Sequence, residues 1–371
     1  MPRRAALVAA LALAACSSSS GPPPAELTRL ENPKPVRVLW SASVGSAERS
    51  TFLPALAGGS VFAASRSGRV MRFDAKTGDE RWRVDLERPL SGGVGADERT
   101  VAVASEEGEV LVLEAESGKV RWRARVSSEV LAPPAVGAGL VIVRSIDNRV
   151  FAFGADDGKR RWVYQRAPSS LVVRVPSGIT IAGGLAFGGF PGGRLVALTL
   201  DTGAVRWEVT VGTPKGPTEL ERVTDVIGEP VLAGREICAA AYRSRVACYD
   251  GASGRQLWGR EIASLSGVAV DARYAFVADE QGAVHAFDRS NGQSVWKQDK
   301  LAHRKLSTPL GVGEAVAVGD LEGYVHFLAR ETGAFVARFA TDGTAVRAAP
   351  LRLGQGLLIQ TEDGGLFALA L

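Results

Sequence analysis

Seven tryptophans punctuate this chain of 371 residues, and all occupy one place in one recurring phrase. The first full copy reads Gly68-Arg-Val-Met-Arg-Phe-Asp-Ala-Lys-Thr-Gly78-Asp-Glu-Arg-Trp82. Later copies run Gly108 to Trp122, Asn148 to Trp162, Gly193 to Trp207, Ser244 to Trp258 and Gly282 to Trp296, all in the same frame. A seventh, Gly323 to Ala337, has lost its tryptophan, and an eighth begins at Gly364 and stops at Leu371. What the eighth lacks stands at the other end of the chain, where Pro35-Val-Arg-Val-Leu-Trp40 reads as the last strand of the same phrase. Scatter by chance does not put six tryptophans in one frame.

The residue types explain the recurrence. Val70-Met-Arg-Phe73 and Val110-Leu-Val-Leu113 are short apolar runs, too brief for helices and rich in strand formers. Such runs suit strands covered on both faces. Ala-Lys-Thr-Gly78, Ala-Glu-Ser-Gly118 and Leu-Asp-Thr-Gly203 then supply turns, with glycine taking the positive φ and a hydroxyl or carboxylate bonding the local backbone. Tryptophan on the next strand is large enough to fill the wedge between neighbouring sheets. Repeats of roughly 40 residues built this way cannot bury both faces alone and must stack. The expected fold is all-β: an eight-bladed β-propeller over 36–371, with four-stranded antiparallel blades, closed by pairing the N- and C-terminal strands.

Composition agrees with one large all-β body: 43 glycines, 46% hydrophobic residues and almost no helical periodicity. The formal net charge of +4 is small and dispersed, and no basic run carries interleaved aromatics, which argues against nucleic acid. Residues 1–15 read as a secretory signal peptide: Arg3 and Arg4 precede an apolar stretch too short to span a membrane. Its end, Leu13-Ala14-Ala15-Cys16, resembles the lipobox of bacterial lipoproteins, which implies acylation at Cys16. Ser17 rather than an aspartate follows, which by lipoprotein sorting implies the periplasmic face of the outer membrane. Residues 16–35, rich in Ser and Pro at their start, read as a lipidated flexible tether. Cys238 and Cys248 flank the turn Tyr242-Arg-Ser-Arg245 of an expected hairpin, at equal distance from Arg243. Opposed strands in an oxidising compartment permit a disulfide; two buried free thiols are the alternative.

Function on a repeat scaffold concentrates where the repeat is broken. The two longest gaps between a tryptophan and the next phrase are adjacent, Trp162 to Gly193 and Trp207 to Ser244. One contains Ser169-Ser-Leu171-Val-Val173-Arg174-Val-Pro176-Ser-Gly178; the other spans 213–228 and holds Glu221 and Asp225. Neighbouring insertions that mix apolar and charged residues form one raised surface suited to binding.

The Ala-x-Thr-Gly-x-x-x-Trp phrase resembles the repeat of pyrroloquinoline-quinone-type propellers. With the lipobox, eight blades and no further domain, the chain resembles the BamB family of lipoproteins of the outer-membrane β-barrel assembly (BAM) complex. Segments outside the repeat carry the resemblance too: Thr218-Glu-Leu-Glu-Arg-Val-Thr-Asp225, Leu301-Ala-His-Arg-Lys-Leu-Ser-Thr-Pro309 and Gly319-Asp-Leu-Glu-Gly-Tyr324. The resemblance implies a non-catalytic scaffold, without cofactor, that binds the POTRA region of BamA and assists unfolded outer-membrane proteins. It implies BamA-binding roles for Leu171, Val173, Arg174 and Asp225. Leu171 and Val173 would lose water against an apolar patch, Arg174 would offer its fork to a carboxylate or carbonyl, and Asp225 would receive a partner cation or hold Arg174. The family often has a second acid two residues on, where this chain has Ile227.

Other functions compete with this one. A quinone-dependent dehydrogenase, by resemblance, needs vicinal cysteines and a calcium site; Cys238 and Cys248 stand apart, and no acidic run resembles an oxygen cage. Only three histidines are present, His285, His303 and His326, with no H-E-x-x-H, C-x-x-C, G-x-S-x-G or P-loop phrase. His285 and His326 share a repeat position, where strand histidines satisfied within the sheet are the expectation and a bridging metal the alternative. A periplasmic adaptor or sensor with another envelope partner remains open at this level.

Overall fold

The computed structural model describes residues 22–371 except 49, 168–170, 172–173 and 219–220. Among the described residues there are strands and turns but no helix, so none is long and apolar enough to cross a membrane. The strands form eight four-stranded sheets, antiparallel throughout. Blade 1 covers 55–85, and blades 2 to 7 follow as 90–125, 135–165, 179–210, 226–262, 264–298 and 310–340. Blade 8 takes three strands from 351–370 and its outermost from Arg37–Ser43, which pairs with Gly365–Ala370 from Arg37↔Ala370 to Ser43↔Gly365. The eight-bladed propeller closed by its own termini is therefore the observed fold.

The core lies between blades rather than within one. Eight apolar clusters occur, one at each junction: Phe62, Val70, Val101 and Leu111 join blades 1 and 2, while Trp40, Val61, Met71 and Leu366 join blades 8 and 1. The recurring phrase supplies each junction with one device. The tryptophan of one blade donates its indole N–H to a carbonyl in the last turn of the next, from Trp40 to Ala75 through Trp296 to Arg330, at 2.5–3.0 Å. The indole then lies flat on that turn's glycine. Gly78, Gly118, Gly158, Gly203, Gly254, Gly292 and Gly333 have φ of +65° to +76°, and a Cβ on any of them would stand 2.5–2.9 Å from the ring. Glycine is thus required twice over, for its dihedral and for its missing side chain. Blade 8 has no such turn, because its third and fourth strands come from opposite termini. The seventh copy accordingly carries Ala337, fully buried, instead of tryptophan.

The two ends of the ring differ. One end carries the connections from each blade to the next together with the middle turn of each blade, as in the bonds Leu86 N–H to Gly68 O and Leu90 N–H to Arg66 O. The opposite end carries the short first and last turns. Both long insertions, 166–178 and 211–225, are inter-blade connections and so share the first end.

The expectation of a flexible tether through residue 35 is corrected in part. Ala25 N–H donates to Ala302 O, Arg304 Nη1 donates to Ala25 O, Arg338 Nη1 donates to Thr28 O, and Lys34 N–H donates to Val336 O, at 2.8–3.1 Å. Residues 25–34 therefore run down the outer side of blade 7. The expected signal peptide and Cys16 lie outside the described residues.

Candidate docking surface

The two long connections meet on the insertion-bearing end of the ring. Gly228 N–H, on the first strand of blade 5, donates to Pro176 O at 3.1 Å, and Arg174 and Ser177 of the first connection line one cavity with Asp225 of the second. Leu171, in the first, is 44% exposed. Val173 lies outside the described residues. Arg174 projects over the mouth of the central channel and pairs with Glu129, from the blade 2–3 connection, at 2.5 Å. The Arg174 side chain is largely exposed while Glu129 is mostly covered. The mouth is a cavity of about 800 Å³, walled by Glu48, Arg66, Glu106, Glu129, Arg174 and Glu362 among others. Its carboxylates have internal partners: Arg66 holds Glu48 and Glu106, and Arg347 holds Glu362. With those pairs made, the mouth is a polar rim rather than an acidic well.

Asp225 lies deeper than its place in a long connection suggests. It is only 6% exposed, accepts from Gly192 N–H at 3.3 Å, and its carbonyl accepts from Tyr242 N–H at 2.8 Å. Its charge faces Arg144, the last residue of the strand Leu140–Arg144. Burial pushes the Arg144 guanidinium down to about 10, against the pull of Asp225. The guanidinium also lies 5.2 Å over the Phe190 ring. Asp225 thus lies beneath the surface of this end, and its charge acts on Arg144. Arg144, Arg174 and Asp225 nonetheless line one cavity of about 280 Å³ with Leu131, Ile146 and Ser177. Ile146, 36% exposed, adds apolar area at this cavity. Ile227, where a second acid was of interest, is a 2%-exposed core residue of blade 5.

Glu129, Arg144 and Ile146 were not singled out from sequence. Arg144 ends an ordinary apolar strand run, and nothing in the chain's linear order announces that it meets Asp225. The cysteines face each other directly in register, Cys238↔Cys248, and are joined by a disulfide. His285 and His326 each bond an aspartate of their own blade, Asp279 and Asp320, at 2.8 Å. Among the described residues no three His, Cys, Asp or Glu side chains gather as a metal cage.

A second polar cluster sits at blade 7. Arg304, 2% exposed, donates to Asp320 at 2.6 Å and to Glu322, and lies 5.6 Å over the Tyr324 ring. Asp320 also accepts from His326 Nε2, whose Nδ1 accepts from Arg338 Nε at 3.1 Å. Burial pushes His326 down despite Asp320, so the ring is neutral near pH 7. Burial pushes Asp320 up, but bonds from His326 and Arg304 hold it below the usual carboxylate range.

Comparison with known proteins places these features. The family described as "Outer membrane protein assembly factor BamB" matches residues 32–89 and 66–298. An outer membrane protein assembly factor BamB from Pseudomonas aeruginosa is 48% identical over 99% of this chain and 98% of its own length. The crystal structure of BamB from Moraxella catarrhalis superposes with a TM-score of 0.83 at 26% identity, covering 91% of this chain and 100% of that one. A quinohemoprotein alcohol dehydrogenase from Comamonas testosteroni, at 13% identity and a TM-score of 0.68 over 90% of this chain and 76% of that one, shares the fold alone. On sequence over nearly its full length, and on architecture, the chain belongs to the outer membrane protein assembly factor BamB family.

Proposed function

We propose that this chain is a non-catalytic scaffold of the BAM complex, anchored by acyl chains on Cys16 to the periplasmic face of the outer membrane, that docks the POTRA region of BamA. The observation that carries the reading is that two long connections share one end of the ring and line one cavity there, with Leu171 and, three residues on, Arg174 both exposed. Apolar area flanked by a guanidinium is the composition of a small interface core. Glu129 holds Arg174 in place before docking, which limits the side-chain entropy lost on binding. Asp225 lines the adjoining cavity with Arg144 and Arg174. Extended outer-membrane clients would add as strands to the outer blade edges, where Val163, Val205 and Val295 are exposed.

The direct test is Arg174→Glu, which also sets two carboxylates against each other. Co-purification with BamA should fall at least about tenfold, a loss of ~1.4 kcal/mol or more. Undiminished co-purification removes this surface as the docking site. A photoreactive side chain at Leu171 that captures some other envelope protein in place of BamA would replace the partner.

A further inference from the structure

The N-terminal segment is a strap with a defined path. It begins on the insertion-bearing end, where both backbone groups of Ala25 are captured, the N–H by Ala302 O and the carbonyl by Arg304 Nη1. It crosses the middle of blade 7 at Thr28, held by Arg338. It reaches the opposite end at Lys34, whose N–H bonds Val336 O and whose Nζ lies 4.0 Å from Glu314. There the chain turns back and rises as the outermost strand of blade 8, Arg37–Ser43. The arginines that grip the strap are themselves fixed. Arg304 is locked between Asp320 and Glu322, and Arg338 is aimed by His326, which Asp320 orients. Arg304, buried and bonded to both carboxylates, is costly to move, so the Ala25 carbonyl it holds is held firmly.

We infer that this strap makes the lipid-bearing residue leave the propeller from the end that carries the 166–178 and 211–225 connections, so that this end faces the lipid surface. The inference rests on acylation at Cys16, proposed above. Only eight residues separate Cys16 from Ala25, a reach of at most about 30 Å over nine steps. A free tether from Cys16 to Val36 would reach about 70 Å and allow either end to face the bilayer. The exit at blade 7 is across the ring from the Leu171 and Arg174 connection between blades 3 and 4. A partner bound at those connections is thereby placed in the space between ring and membrane, and the occupant of that face near blade 7 is the phospholipid surface itself.

The test uses the full acylated chain on vesicles of phosphatidylethanolamine and phosphatidylglycerol doped with a headgroup-linked acceptor dye. Donor dyes are attached singly at Lys300→Cys, on the insertion-bearing end near blade 7, and at Gln355→Cys, in an exposed turn of the opposite end. Energy transfer to the bilayer should be several-fold stronger from position 300. Replacing residues 22–34 by a Gly/Ser segment of equal length should bring the two positions together. Equal transfer in the native chain, or a difference that survives the replacement, overturns the inference. A chain that does not stay on vesicles overturns it too, at the level of the anchor, while leaving the Arg174→Glu result untouched. Hydrogen exchange supplies a second measurement free of variants: the Ala25 and Lys34 amides should exchange as slowly as outer blade strands, and free-chain rates there would sink the strap.

Discussion

Gly203 and Trp162 show how two residues far apart in the chain fix each other. A methyl on Gly203 would sit 2.6 Å from the indole, at a φ of +70°. Gly203→Ala should therefore cost about 1–3 kcal/mol through overpacking and backbone strain together, measured as a lowered urea midpoint with unchanged slope. A midpoint within error of the parent would mean that the ring does not press on the turn. A second residue prediction concerns acid. His326 is held neutral, so its folded pKa is depressed and the unfolded chain binds more protons. That term is present above the ordinary histidine value of about 6.5 and is lost as pH falls below it, at up to about 1.4 kcal/mol per pH unit. Asp320, also depressed, titrates lower still and leaves that window clear. Between pH 7 and 5 the parent should lose more stability than His326→Gln; equal losses would assign the acid sensitivity elsewhere. The Gly–Trp pairing was legible because each copy repeats both partners in one frame. The pull of Asp225 on Arg144 was not, because each residue occurs once and their approach depends on how blade 3 and the 211–225 connection pack. Asp225 in sequence reads as a loop acid, and only the structure shows it 6% exposed.

Strands and hairpins repeat this contrast between periodic and single features. Blade strands were readable as short apolar runs bounded by turn glycines, and the hairpin around Arg243 put Cys238 opposite Cys248 as its spacing allows. The disulfide closes a short loop within one sheet, so its effect on the unfolded chain is modest in the chain-entropy picture, about 2–3 kcal/mol. Cys238→Ala with Cys248→Ala should lower the unfolding midpoint by that order and leave BamA co-purification unchanged, since neither sulfur reaches the docking end. Thiol labelling of the unfolded, unreduced parent should find both cysteines blocked; full labelling would restore the alternative of two buried thiols. The strap was misread because its Pro- and Ser-rich start has the composition of a linker. What orders it lies elsewhere, in Arg304, Asp320, His326 and Arg338. Two of the phrases that carried the family resemblance, Leu301–Pro309 and Gly319–Tyr324, supply two of these four, Arg304 and Asp320, and His326 follows two residues past Tyr324. Non-periodic phrases in a periodic chain thus marked a structural cluster as well as kinship.

Seven of the eight blade closures are made by continuous chain, and one is made by pairing the termini within blade 8. That seam is a matter of where the chain was cut, because every junction shares the same kind of apolar core and most share the same indole-on-glycine device. If so, the seam can be moved. Joining Leu371 to Val36 through a Thr-Gly-type turn, and opening new termini between Gly58 and Gly59 at an exposed turn of blade 1, should give a soluble chain with the same eight blades. One loop is closed as another is opened, so its stability should match that of the parent lacking residues 1–34 to within roughly 1 kcal/mol. A single cooperative transition and an unchanged strand spectrum would check it. A permuted chain that aggregates or melts in two steps, while the truncated parent melts in one, would show instead that blade 8 must be zipped last by its own termini and that the ring is not indifferent to the order in which its wedges are laid down.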